Sequence, residues 1–148
     1  MSCEGIMEVI VKERIGAYGV IIQNGKIALV RKANGGYKGK LDLPGGGIGH
    51  TESSIDTLKR EIKEEINGTV VSQKLIDVVA TNIVWQMDTE LMEDLHHIGV
   101  IYEVNIAEAD LKSDADGLDS LGASWVDLTT LNIEELSPFA KFAVNKYR

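Results

Sequence analysis

Three glutamates close together in the first half of the sequence are its clearest candidates for chemistry. If their segment is helical, Glu61, Glu64 and Glu65 fall within an arc of roughly 100°, because each residue turns a helix by about 100°. Like charges at this spacing repel one another by roughly 0.2–0.5 kcal/mol per pair. A divalent cation such as Mg²⁺, which prefers oxygen ligands, would remove that repulsion. The alternative is a solvated helix face, which the nearby Lys59 and Lys63 also fit.

A glycine-rich segment, GGGIG at residues 45–49, precedes these glutamates. Glycine lets backbone approach a ligand or metal closely because it has no Cβ. The alternative is a plain flexible turn. Loop and glutamates together therefore suggest a binding site for a metal or an anionic ligand.

The glutamates must be positioned by a helix, which the apolar spacing predicts. Ile55, Leu58, Ile62 and Ile66 recur at steps of three, four and four, as on one face of an amphipathic helix. Thr51 and Ser53 are candidate N-caps of this helix. Asn67-Gly68 is expected to end it, because both residues tolerate the left-handed backbone conformation.

Strands are predicted on both sides of this helix. Apolar runs around Asn24-Gly25 predict a hairpin with a type I′ turn. Further strands are predicted just before Pro44 and at residues 69–81, 96–106 and 124–128, with a last helix starting at Pro138. This order predicts an α/β sandwich. The irregular connections argue against a dinucleotide-binding fold.

Composition narrows the class of protein. The 148 residues suit one domain, residues 1–148, and the net charge of −8 argues against a nucleic-acid polymer as partner. Arg31 and residues 32–40 form a basic exception, which a solvated loop also explains. No apolar run approaches the roughly 18 residues of a membrane span. With Cys3 as the only cysteine and no signal-like N-terminus, we expect a cytoplasmic protein and no membrane association.

Loop and helix together resemble the signature of the Nudix hydrolases, G-x5-E-x7-R-E-U-x-E-E-x-G-U, in which U is a bulky aliphatic residue. The matching residues are Gly46, Glu52, Arg60, Glu61, Ile62, Glu64 and Glu65. The segments LPGG before it, and SWVDLTTL and LSPFAKFA after it, are also similar to the family. Three positions depart from the pattern: Asn67 replaces the last glycine, Gly68 replaces U, and Leu41 stands where many members have Trp.

The resemblance implies a Nudix-type α/β/α sandwich with a mixed central sheet. It implies cleavage of a nucleoside diphosphate linked to another group, a small-molecule nucleotide substrate, with Mg²⁺ or Mn²⁺ as cofactor. The implied metal ligands are Glu61, Glu64 and Glu65 with the Gly46 carbonyl, and Glu52 through water. Glu61 alternatively orients or deprotonates the attacking water. Arg60 would hold a glutamate in position.

Residues outside the signature complete the expected site. Asp119 is the candidate for an additional metal ligand, although it also suits the cap of a turn. Asp114, Asp116 and Glu93 are lesser candidates. Arg31, Gly45 and Gly46 are expected to contact substrate. His96 and His97 should point to opposite faces of a strand, and Trp85 is either a base-stacking or a wall residue.

The substrate is less well defined than the reaction. Pro44 and Pro138 are the only prolines, so the proline that many ADP-ribose hydrolases carry after the signature is absent. This absence favours nucleoside triphosphates, including oxidised ones, over ADP-ribose or a nucleotide sugar. A non-catalytic Nudix-like sensor of nucleotides is a further alternative. The resemblance also leaves a homodimer open.

Overall fold

Eight strands and two α-helices make up residues 7–107 and 120–148, which the computed structural model describes. The strands are β1 (Glu8–Val20), β2 (Ile22–Gln23), β3 (Lys26–Lys32), β4 (Leu41–Asp42), β5 (Gly45–Gly47), β6 (Val70–Gln86), β7 (Leu91–Ile106) and β8 (Ser120–Asp127). The helices are α1 (Ser54–Ile66) and α2 (Pro138–Tyr147), and a 3-10 turn at Ile133–Glu135 precedes α2. No helix in this described part is long and apolar enough to cross a membrane.

The sheet is mixed, as predicted. One part has the strand order β5-β1-β7-β6, in which β1 and β7 run parallel and the other pairs run antiparallel. The other part joins β2, β3 and β4, with β8 paired to the opposite edge of β3. The two residues of the turn between β2 and β3, Asn24 and Gly25, have φ of 53° and 76°, which confirms the type I′ hairpin.

The two helices cover opposite faces of the strands. Alternation along β1 sends Tyr18 and Val20 into the core beneath α2 and Ala17 into the core beneath α1, where Ile21, just after the strand, also lies. The side chains of these four residues are almost completely buried. The predicted α/β/α arrangement is therefore confirmed.

Helix α1 forms where the apolar spacing predicts it. Leu58, Ile62 and Ile66 are fully buried, and burial stabilises each such side chain by about 1.5–3 kcal/mol. Ser53 is the N-cap and forms a capping box with the helix's third residue. At the other end Asn67 has φ 60° and ψ 28°, so asparagine supplies the left-handed turn at the position where the signature has glycine.

The hairpin of β6 and β7 is longer than predicted. The expected strands covered residues 69–81 and 96–106, whereas the observed strands reach Gln86 and start at Leu91. Trp85 and Glu93 face each other across this additional part of the hairpin. β8 also begins earlier than predicted, at Ser120 instead of Ser124.

Candidate active site

The glycine loop is packed against its surroundings and is not a free turn. Its strand β5 pairs with β1, so that Gly46 lies opposite Ala17. A Cβ at Gly45, where φ is 147°, would collide with the carbonyl oxygen of Ala17. A Cβ at Gly46 would lie 2.6 Å from Oε1 of Glu61. Glycine is therefore needed to bring the loop against helix α1.

A cavity of about 250 Å³ opens between the glycine loop and α1. We call it the carboxylate cavity, because Glu61, Glu64 and Glu65 line it together with Gly45, Gly46 and Gly47. Four further residues complete its wall: Arg14, Tyr18, Lys32 and Arg60. The structure thus brings the three predicted glutamates together with positive side chains from two strands.

Glu52 is held by protein donors on both carboxylate oxygens. Oε1 accepts from the Gly49 N–H, the Thr57 hydroxyl and Arg60 Nη2, at 3.1, 3.1 and 2.8 Å. Oε2 accepts from Arg60 Nε at 2.8 Å, which completes a bidentate pair. These bonds, above all those from Arg60, lower the pKa of Glu52 to about 2. Its direct role in the described geometry is to tie the loop to α1.

Arg60 also pairs with two glutamates of the carboxylate cavity. Its Nη1 lies 2.9 Å from Oε1 of Glu61 and 3.3 Å from Oε2 of Glu64. One guanidinium therefore offsets charge on three carboxyl groups at once, since Glu52 takes the remaining donors.

Glu65 is the buried member of the glutamate cluster. It is 7% exposed, and within the described residues its Oε2 has no hydrogen-bond partner. Burial raises the pKa of Glu65 well above its usual range, and the neighbouring Glu61 raises it further through a hydrogen bond and its charge. A buried oxygen without a donor is costly, so Glu65 has an unfilled ligand position.

These residues fit a divalent cation, although they do not form a finished site. Across residues 7–107 and 120–148, no three acidic, histidine or cysteine side chains are close enough to hold a metal together. Arg60 accounts for this, because it draws Glu61 and Glu64 into ion pairs. The donor set is all oxygen and includes the unpartnered Oε2 of Glu65, which suits Mg²⁺ or Mn²⁺.

A second cavity of about 370 Å³ adjoins the carboxylate cavity and shares Arg14, Tyr18 and Lys32 with it. We call it the outer cavity. Its other walls come from the loop 34–37, from Lys12, from Asp42 of β4 and from the β6–β7 hairpin, where Trp85, Glu93 and His97 face inward. The two cavities thus form one elongated space with three shared side chains at the join.

His97 fixes two tyrosines of this space. Its Nε2 lies 2.7 Å from the Tyr18 hydroxyl, and its Nδ1 lies 3.1 Å from the Tyr37 hydroxyl. Burial, and after it the charges of Arg14 and Lys32, lower the pKa of His97 to about 4. The neutral ring therefore accepts one bond and donates the other. As predicted, His96 points the opposite way and is exposed, 3.7 Å from Glu13.

Some predicted site residues lie elsewhere. Arg31 lines neither cavity, and its guanidinium donates to the Gly39 carbonyl at 2.7 Å. Its neighbour Lys32 lines both cavities, because successive side chains of a strand point to opposite faces. Asp119, Asp114 and Asp116 lie outside the described residues.

Sequence reasoning missed Arg14, Tyr18 and Lys32, the residues that join the cavities. A signal existed on β1, where Lys12, Arg14 and Tyr18 share one face by alternation. This alternation identifies the three residues as site residues only once that face of β1 is known to border the glycine loop.

Comparison with known proteins gives a matching family model and several relatives. A family model described as NUDIX domain matches residues 13–146. An ADP-ribose pyrophosphatase from Methanocaldococcus jannaschii is 27% identical over 113 residues, which are 76% of this chain and 61% of that protein. The match therefore covers less than two-thirds of that relative's length.

Solved structures share the fold. A MutT NUDIX hydrolase from Burkholderia pseudomallei superposes with a TM-score of 0.62 at 20% identity, covering 93% of this chain and 99% of that one. A NUDIX hydrolase from Nitrosomonas europaea gives a TM-score of 0.64 at 20% identity, covering 92% and 88%. At this identity the likeness establishes the architecture alone.

Proposed function

Because the chain belongs to the NUDIX hydrolase family, we propose that it is a metal-dependent pyrophosphohydrolase of a nucleoside diphosphate linked to another group. One observation carries the proposal: Glu61, Glu64 and Glu65 line a cavity that Arg14 and Lys32 also line. Carboxylates suit a metal, and the two cations suit phosphate oxygens.

The carboxylates of α1 are the proposed ligands of Mg²⁺ or Mn²⁺, with the Gly46 carbonyl as a further donor. When bound, such an ion neutralises phosphate oxygens and lowers the pKa of a coordinated water. Arg60 would then give up Glu61 and Glu64 and keep its bidentate pair with Glu52. Glu52 would hold the loop and touch the metal only through water.

The chain's own cations would hold the substrate. Arg14 and Lys32 stand where the two cavities meet, so a diphosphate placed there contacts both while its ends extend into each cavity. Tyr18, fixed by His97, would limit how the diphosphate can rotate. Glu61 would either bind metal or orient the attacking water, because its carboxyl lies against Gly46 of the glycine loop.

The elongated space favours a substrate with a bulky group beyond the diphosphate. ADP-ribose has this shape, and the archaeal relative is named an ADP-ribose pyrophosphatase. A nucleoside triphosphate is the alternative favoured by the sequence. A screen of nucleoside triphosphates, ADP-ribose, sugar nucleotides and dinucleoside polyphosphates with Mg²⁺ and Mn²⁺ distinguishes them by the products formed.

Substitution of the metal ligands tests the reaction itself. Glu64→Gln and Glu65→Gln should each abolish Mg²⁺-dependent turnover, while circular dichroism shows an unchanged fold. Glu135→Gln, at the exposed last residue of the 3-10 turn, is the matched control and should keep full activity. Full activity in both variants, or no hydrolysis of any compound in the screen by the unaltered protein, would show that the proposal is wrong.

A further inference from the structure

Glu93 is a buried acid in the wall of the outer cavity. It is 5% exposed, and its Oε1 accepts from the indole Nε1 of Trp85 at 2.8 Å. The two residues lie directly opposite each other on β7 and β6. Within residues 7–107 and 120–148, no Lys, Arg or His lies close enough to form an ion pair with Glu93.

Such a side chain has hydrogen-bonding capacity that the described residues leave unused. A carboxylate only accepts hydrogen bonds and has about four lone-pair positions, of which Trp85 fills one. Its Oε2 is not among the buried oxygens that lack a partner in the described residues, so it is open to the outer cavity that Glu93 lines. Donors of a ligand would complete the set when the outer cavity is filled.

The charged side chains differ between the two cavities. Arg14 and Lys32 stand at the join and line both, whereas Lys12, Asp42 and Glu93 line the outer cavity and not the carboxylate cavity. Glu93 pairs with Ile10 of β1, whereas Gly46 pairs with Ala17, seven residues further on. At about 3.3 Å per residue, roughly 23 Å along β1 separates the position opposite Glu93 from the position opposite Gly46. Phosphates therefore belong near the join, and Glu93 faces the far end of a long ligand.

We propose that Glu93 determines substrate specificity by recognising an uncharged group with two adjacent hydrogen-bond donors at the far end of the outer cavity. The inference rests on the proposed function, whose substrate it narrows. Two chemical sources present such a pair: the N1–H and N2–H₂ of guanine, and the vicinal hydroxyls of a terminal ribose. The amino group of adenine is flanked by acceptor nitrogens, which a carboxylate repels.

A purely structural role, in which Glu93 only holds Trp85, can be separated from recognition. In Glu93→Gln the amide oxygen still accepts from the indole N–H. The amide N–H₂, however, would face one of the two ligand donors and lose that bond. A site built on hydrogen bonds discriminates strongly against groups that do not complete them.

The test is equilibrium binding by titration calorimetry with GDP, IDP, ADP-ribose and ADP. If guanine is the source, the unaltered protein should bind GDP more tightly than IDP, which lacks the 2-amino group. If a terminal ribose is the source, ADP-ribose should bind more tightly than ADP. In either case Glu93→Gln should weaken the affinity for the preferred ligand by roughly 10- to 100-fold. The affinity for the other ligand of the pair should stay nearly unchanged.

Glu90→Gln, an exposed acid in the turn of the same hairpin, is the matched control and should keep the preference. Should Glu93→Gln fail to fold, Glu93→Asp retains the charge but withdraws it by one methylene, and the same preference should fall. Equal affinities in the Glu93 variants and the unaltered protein would overturn the inference, as would a protein with no preference within either pair.

Turnover, measured separately, distinguishes this inference from the proposed function. Glu93-dependent binding without hydrolysis of any ligand would refute the proposed function and support the inference. Hydrolysis with the same KM in Glu93→Gln as in the unaltered protein would support the function and overturn the inference.

Discussion

Adding one methyl group at Gly46 is expected to displace Glu61 and to impair catalysis while the fold remains intact. The backbone of Gly46 does not have positive φ, so alanine is tolerated there without backbone strain. Its Cβ would lie 2.6 Å from Oε1 and 2.7 Å from Cδ of Glu61. Glu61 must therefore move, because ordinary van der Waals contact begins at 3.4 Å.

The size of the effect follows from this distance. The Glu61 carboxyl has to withdraw by about 0.8 Å, the difference between 3.4 and 2.6 Å. Misplacing a catalytic group by about 1 Å can cost roughly 100-fold in rate, or about 2.7 kcal/mol of transition-state stabilisation. We therefore expect Gly46→Ala to lower kcat by roughly 100-fold, with a weaker apparent affinity for Mg²⁺.

The assay is steady-state release of the nucleoside monophosphate across a range of Mg²⁺ concentrations, with a thermal melt of each variant. Gly47→Ala is the matched control, since a Cβ at Gly47 meets no atom of the described residues within 4 Å. It should melt like Gly46→Ala and keep most of the activity. Normal kcat in Gly46→Ala would refute the reasoning, because the geometry leaves Glu61 no room to stay in place.

Three further predictions follow from the same geometry. Arg14→Ala should lower kcat/KM by roughly tenfold or more, whereas Arg31→Ala, outside both cavities, should leave it unchanged; steady-state kinetics compare the two. Saturating Mg²⁺ or Mn²⁺ at about 100 times Kd should stabilise the fold by about 2.7 kcal/mol and raise Tm by roughly 5–10 °C; Glu65→Gln should abolish most of that shift. In the folded protein the pKa of His97 is lowered to about 4, whereas in the unfolded chain the pKa of this histidine is near 6.5. As the pH falls, the unfolded chain therefore binds the proton first. Stability should therefore decline by about 2 kcal/mol between pH 7 and pH 5 from this group. Urea unfolding of His97→Gln should lack that part of the decline, and an unchanged pH slope would contradict the assignment.

Local patterns predicted the helix and its glutamates well. The period of Ile55, Leu58, Ile62 and Ile66 places α1 correctly, since one face of a helix depends only on nearby residues. The same is true of its stop at Asn67 and of the turn at Asn24-Gly25. In each case the determining contacts lie within a few residues along the chain.

Local sequence patterns could not predict the join of the two cavities. The pairing of distant strands, and not the spacing of residues along the chain, brings its cationic side chains together. Arg14 and Lys32 lie on strands β1 and β3, which have separate pairing partners, and no spacing between them encodes their meeting. Arg31 and Lys32 show the consequence: Lys32 lines both cavities and the predicted Arg31 lines neither, since a shift of one residue on a strand moves a side chain to the other face. The additional part of the hairpin was missed for a related reason: residues 83–86 pair with residues 92–95 although their own apolar pattern is weak.

Arg60 links the stability of the site to its proposed chemistry. One guanidinium cannot satisfy Glu52, Glu61, Glu64 and Glu65 together, and the structure shows which it serves. Glu52 receives the two short bonds of a bidentate pair, Glu61 and Glu64 share one nitrogen, and Oε2 of Glu65 has no donor among the described residues. The pair with Glu52 therefore holds the loop on the helix whether or not a cation is bound. The three carboxylates that receive less from Arg60 are those that line the carboxylate cavity, which is where a divalent cation would relieve the repulsion among them.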